Sequence, residues 1–92
     1  MHKPATLDLA TRAVLIARLK SIEGQARGIQ RMLDEERECQ EIMDQLAALR
    51  AAAHAVSMQA FNAFALHCLK DPDAPLEQVV GQLTDTVAKL TR

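Results

Sequence analysis

The stretch "CQEIMDQLAALRAAAHAVSMQAFNAFALHC", residues 39–68, decides the fold. It runs from one cysteine to the other without a glycine or proline, and Cys39, Ile42, Leu46, Leu49, Ala53, Val56 and Ala60 recur at steps of three and four. That spacing is the pattern of a packed helical seam. It predicts one long helix over about 37–69, which "KDPDAP" (70–75) ends. Pro72 and Pro75 cannot continue a helix and push the residues before them toward extended backbone.

Working outward, Leu15, Leu19, Ile22, Ala26, Ile29 and Leu33 mark a first helix over about 8–34. Gly24 and Gly28 lie inside it, each costing around 1 kcal/mol relative to alanine, which suggests close approach by another backbone. The acidic run "DEERE" (34–38) is assigned a tight turn, because an unbroken helix of about 60 residues is unusual in a globular domain. Downstream, Asp73 is placed to cap a third helix over about 75–91, with Leu76, Val79, Val80, Leu83, Val87 and Leu90 on one face. The expectation is a single all-α domain over 1–92, a three-helix protomer without repeats or flexible linkers.

Composition narrows the function classes. The chain has no Trp or Tyr and two Phe, and no apolar run reaches the roughly 20 residues a membrane span needs. "MHKPATLDLATR" lacks the apolar core of a secretory signal, so the expected site of action is the cytoplasm, with reduced thiols and no membrane partner. A chain of 92 residues supports only a marginal core, which favours oligomerisation. The net charge of −1 conceals a segregation: residues 1–33 carry six basic against two acidic residues, and residues 34–92 carry five against ten. A basic first helix on an acidic remainder suggests a polyanionic partner, beside the plainer reading of a solvated face.

Cys39 and Cys68 are 29 residues apart, roughly 43 Å along one helix, so within one chain they can share neither a disulfide nor a metal ion. Their directions nevertheless agree to within about 20°. If the helix pairs antiparallel with its own copy about a two-fold near Ala53 and His54, Cys39 meets the partner's Cys68, twice per dimer. Both cysteines as small buried hydrophobes is the competing reading. A third ligand on the stripe would fall one turn before Cys68, at Phe64, which has no donor. His67 lies about 100° around from Cys68, His54 near the proposed axis, and His2 on the terminus. No base lies within one turn on the cysteine face, so neither an enzyme nor a cofactor is expected.

"RLKSIEGQARGIQRML", the Cys at 39, "QLAALRAAA" and the second Cys 29 positions later resemble the copper-sensing operon repressor family (CsoR), with its nickel/cobalt (RcnR), formaldehyde (FrmR) and persulfide (CstR) sensing branches. The resemblance covers about residues 8–90. It implies an all-α three-helix protomer, an antiparallel helical-bundle dimer and a dimer-of-dimers tetramer that binds double-stranded operator DNA and releases it when an effector binds across the dimer interface. Copper sensors resemble Cys, His, Cys where this chain has Cys39, Phe64 and Cys68; persulfide sensors keep both thiols and lack the His. The resemblance is therefore strongest to the CstR-like branch, implying sulfane sulfur as effector and Cys39 and Cys68 as its sensing thiols. The alternatives are Cu(I) on the same two cysteines, or a FrmR-type aldehyde response, although that branch has Pro at position 2 and here the nearest is Pro4. For DNA, the resemblance implies Arg18 and Lys20 of "RLK" and Arg50 of "ALR", with Arg12, Arg27 and Arg31 as further contacts. Arg27 and Arg31 could equally pair with the acidic run.

Overall fold

The computed structural model describes residues 6–92, which form three helices: α1 (Leu9–Asp34), α2 (Cys39–Lys70) and α3 (Leu76–Leu90). His2, Lys3 and Pro4 lie outside the described residues. Helix α1 starts at Asp8, whose Oδ1 accepts the Thr11 N–H at 2.8 Å. Hydrogen bonding from Thr11, assisted by the Arg12 charge, holds the Asp8 carboxyl below its ordinary range.

The turn between α1 and α2 falls within the acidic run, and its hydrogen bonds explain how it forms without glycine. Arg37 N–H bonds the Met32 carbonyl at 3.0 Å and Glu36 N–H that of Leu33 at 3.2 Å. This is the Schellman arrangement, whose central residue must be left-handed. Glu36 takes that role at φ 54°, where glycine is the usual occupant. At the other end of α2, Asp73 is not the cap of α3: Pro75 holds the N-cap position, and the Asp73 N–H bonds Asp71 Oδ1 at 3.0 Å. Asp71 shapes the loop through its own side chain, as Asp does in turns, and the fixed φ of Pro75 leads into the helix.

Helices α1 and α3 each pack on α2 and not on each other. The start of α1 lies beside the end of α2, where Asp8 and Thr11 share a cleft with Ala63, Leu66 and Lys70. Helix α3 folds back along the C-terminal half of α2, so that Thr86 and Leu90 line a cavity of about 430 Å³ with Val56, Ala60, Phe61 and Phe64.

The predicted stripes are only partly inside. On α1, Leu15 and Ile29 are buried and Ile22, Ala26 and Met32 half-buried, whereas Leu19 and Leu33 are exposed. The terminal turn tightens at Met32, which takes the inward place expected of Leu33. On α2 the seam divides. Ile42, Leu49, Ala52, Val56 and Ala63 are half-buried, while Cys39, Leu46 and Ala53 are exposed. A β-carbon added at Gly24 or Gly28 would meet nothing within 4 Å, so the close approach expected there does not occur inside the protomer.

The resulting core is thin. Among the described residues only Leu15, Ile29, Cys68 and Val79 are buried apolar side chains. The radius of gyration is 17.5 Å, against about 12 Å for a compact chain of this length. The accessible surface is 7275 Å², roughly 2,000 Å² above the ~5,300 Å² that scaling gives for 10.1 kDa.

Candidate functional site

Both cysteines are on one uninterrupted helix. Cys39 is the first residue of α2 and exposed; Cys68 is third from its end and buried at 7 % exposure. They remain roughly 43 Å apart along the axis, so one protomer does not bring them together. Cys68 and Val79 are the buried residues of α2 and α3, on either side of the 71–75 loop.

Around Cys39, two of the acidic side chains, Glu41 and Asp44, are engaged on the flanks. Arg37 donates to Glu41 Oε2 at 2.7 and 3.1 Å, and Gln40 Nε2 donates to Asp44 Oδ1 at 3.0 Å. The remaining face is open and largely apolar: Cys39, Met43, Leu46, Ala47 and Ala53 are all exposed, Met43 at 58 %, with Arg50 and His54 exposed among them. The sequence seam omitted Met43, although its i+4 spacing from Cys39 puts the two side chains side by side. At the far end, Phe64 lines the apolar cavity with Ala60, Phe61 and His67, a cavity that Cys68 does not line. His67 is exposed and lines both clefts beside Thr6 and Leu7, whereas Cys68 lines neither. Adjacent in sequence, these two side chains face different surroundings. Among the described residues no three His, Cys, Asp or Glu side chains come together as a metal-binding group.

The basic residues Arg12, Arg18, Lys20, Arg27, Arg31 and Arg50 are all exposed. Within the protomer Arg27 and Arg31 form no ion pair with the acidic run, whose Glu35 lies 3.9 Å from Arg37, which also pairs with Glu41 at 2.7 Å. By helical geometry Lys20, Arg27 and Arg31 fall within about 40° of one another, on the face of α1 opposite Leu15, Ile22 and Ile29. Arg18 lies on the other side of α1, and Arg50 on the open face of α2, near the direction of Cys39. The six residues therefore do not form one patch on a single protomer.

The family model described as "Metal-sensitive transcriptional repressor" matches residues 11–89. This chain belongs to that family. The copper-sensing transcriptional repressor CsoR of Bacillus subtilis (strain 168) is 39 % identical to it over 77 residues, covering 82 % of this chain and 76 % of CsoR. The copper-sensing transcriptional repressor RicR of Mycobacterium tuberculosis (strain ATCC 25618 / H37Rv) is 35 % identical over 52 residues, 56 % of this chain and 54 % of RicR. Among solved structures, the nickel-responsive transcriptional regulator InrS superposes with a TM-score of 0.81 at 27 % identity, covering 97 % of this chain and 99 % of InrS. The three-helix all-α protomer is thus the fold of this repressor family, whose named relatives here regulate transcription. In this chain Phe64, which carries no donor atom, stands one turn before Cys68. None of the described helices is long and apolar enough to cross a membrane.

Proposed function

We propose that this repressor acts in the cytoplasm as a dimer of antiparallel dimers, and that reactive sulfur releases it from double-stranded operator DNA by joining Cys39 to the partner's Cys68. The observation that carries this reading is the donor set: two thiols 29 positions apart at opposite ends of one helix, with Phe64, which has no donor atom, one turn before the second. The excess surface of roughly 2,000 Å² per protomer and the open apolar face of α2 support association, since obligate interfaces bury 2,000–5,000 Å² in total.

The chemistry proceeds in two balanced exchanges. A Cys thiolate attacks the terminal sulfur of a persulfide RS–SH, forming Cys–S–SH and expelling RS⁻. The second thiolate attacks the sulfur bonded to the first cysteine, forming the Cys–S–S–Cys bridge and expelling HS⁻. In this reading Cys39, the thiol open to solvent in the protomer, attacks first, and Cys68 resolves. Reaching Cys68 requires its cover to move. Helix α3 is the element able to yield, since among its residues only Val79 is buried. Cross-linking thereby selects a protomer shape different from the free one. A coupling of about 1–3 kcal/mol lowers operator affinity roughly 5- to 150-fold. Arg18, Lys20 and Arg50, with Arg12, Arg27 and Arg31, contact phosphates; Arg37, which is not among them, is the cation that neutralises the acidic run.

A second reading, Cu(I) held by Cys39 and the partner's Cys68, is favoured by the 39 % identity to a copper-sensing repressor. A three-donor site with an imidazole does not fit, because position 64 is Phe and His67 faces elsewhere. The deciding experiment incubates the reduced protein with polysulfide, then follows non-reducing gels and binding to a DNA site selected from random duplexes. A dimer-sized band and loss of the DNA complex, both absent in Cys39→Ala and Cys68→Ala, are expected. DNA release unchanged in both variants would sink the proposal, and release by stoichiometric Cu(I) but not by polysulfide would replace it with the second reading.

A further inference from the structure

We propose that the face of α1 bearing Gly24 and Gly28 seats one sugar–phosphate strand of duplex DNA, the absent side chains letting the strand lie against the helix between two rims of cations. The inference rests on the DNA-binding reading above and deepens it, giving the glycines a role and the cations an arrangement.

The two glycines have no account inside the protomer. Each weakens a helix interior relative to alanine, yet α1 runs unbroken through both, over Leu9–Asp34. Neither has a positive φ, so the backbone does not require glycine there. An added β-carbon would meet nothing within 4 Å at either position, so no neighbouring element needs the space. Gly24 is exposed and Gly28 half-buried, and the bare stretch of helix they create is open to a partner.

Charge identifies that partner. Lys20, Arg27 and Arg31 form one row along α1, spanning roughly 16 Å of its axis, and Arg18 stands some 160° from Lys20 the short way round. Gly24 and Gly28 fall in the arc between the row and Arg18, as do the small side chains of Ala17 and Ser21. The acids of α1, Glu23 and Asp34, fall outside it. All four cations are exposed, and no carboxylate of the described residues pairs with any of them. The arc is thus a shallow trough of small residues with a basic rim on either side.

A polyanionic strand fits such a trough. Lying against the glycines, it can be held by long cationic side chains from both rims, whereas a β-carbon or larger group would lift it away from the helix and from the rims. Ser21 adds a hydroxyl of the kind that bonds phosphate oxygens. A second copy meeting this face through its own would set the same four cations against each other, which like-charge repulsion opposes.

The test uses the full-length reduced protein, with affinity for a selected and a random-sequence duplex measured by fluorescence anisotropy at fixed salt. Gly24→Ala should raise Tm by about 4–8 °C, because alanine is the better helix former and has room, and yet bind DNA at least threefold more weakly. Gly24→Leu should bind at least tenfold more weakly. The loss should be equal on both duplexes, since the strand backbone carries no sequence. Gly81→Ala on α3, where a β-carbon also meets nothing, should raise Tm in the same way and leave DNA affinity unchanged. Native affinity in both Gly24 variants would overturn the seat and leave the DNA-binding reading standing, whereas a native protein that binds neither duplex would overturn that reading itself. Sedimentation of the DNA-free proteins reads the other occupant: if Gly24→Leu alters the assembly state, or Gly24→Ala lowers Tm, the face belongs to a contact between copies and the assignment fails.

Discussion

Replacing Glu36 by glycine should stabilise this protein, an uncommon outcome for a helix–helix turn. Glu36 sits at φ 54° between the Arg37–Met32 and Glu36–Leu33 hydrogen bonds that close α1. A side chain in that region costs roughly 1–2 kcal/mol, which glycine does not incur. Against this stands the greater unfolded freedom of glycine, about 0.5–1 kcal/mol. No ion pair is sacrificed, since Arg37 bonds Glu35 and Glu41 rather than Glu36. The balance is a gain of about 0.5–1 kcal/mol per protomer, and a gain of 1 kcal/mol raises Tm by about 4–8 °C in a domain of this size. Thermal unfolding followed by circular dichroism at fixed protein concentration measures it, because association makes Tm concentration-dependent. Glu36→Ala is the control: it removes the carboxylate and keeps the β-carbon in the left-handed region, so it should not reproduce the gain. Equal Tm values for the native, glycine and alanine proteins would refute the reasoning.

Three further outcomes follow from the geometry. With limiting iodoacetamide, mass spectrometry should find Cys39 alkylated well before Cys68, and equal rates would contradict the burial of Cys68. If Lys20, Arg27 and Arg31 contact phosphates, each alanine substitution should weaken DNA binding across all sequences and reduce the log–log salt slope by about 0.9 for every phosphate left unneutralised, whereas an unchanged slope removes that residue from the interface. Asp8, whose carboxyl is held low by Thr11, contributes stability that is present above its unfolded value and lost as pH falls through its folded value. Acid unfolding curves of Asp8→Asn should accordingly be flatter in that window, and an identical pH profile would show that the cap is not coupled to folding.

The helices were legible in the sequence from their three-and-four apolar spacing, and the end of α2 from Pro72 and Pro75; the Asp8–Thr11 cap that opens α1 was not read from it. The α1–α2 turn was placed from helix length alone; its left-handed Glu36 has no sequence signal, since no glycine marks it. The capping role given to Asp73 failed because Asp71, two residues earlier, bonds the Asp73 N–H, and two acids in one loop look interchangeable in a sequence. Periodicity found the α2 seam but not its division, because a 3.6-residue repeat spreads a three-and-four pattern over a broad arc. One flank of that arc meets α1, and the other, with Cys39 and Leu46, meets nothing in the protomer. Spacing in sequence also hides direction for the basic residues: Arg18 and Lys20 are near neighbours in the chain yet some 200° apart around α1.

The unequal burial of the two cysteines changes how a bridge between them would act. Had both thiols been exposed on the open face of α2, joining them would clamp two preformed helices and leave each protomer's shape unaltered. Cys68 is instead among the few buried side chains of a thin core, in the last turn before the loop that launches α3. In the proposed chemistry, the bond formed with the partner's Cys39 must draw that sulfur out of its packing. The local cover is then exchanged for an intersubunit link. Since burying a small side chain contributes only about 1–3 kcal/mol, the cost lies within reach of a single covalent step. The same magnitude spans the coupling needed to release DNA. Hydrogen exchange comparing reduced and cross-linked protein checks this directly: amides of α3 should lose protection while the α1 segment beside Leu15 and Ile29 keeps it. Unchanged protection in α3 would mean that the thiols meet without disturbing the core, and that the signal to DNA travels through the α2 pair instead.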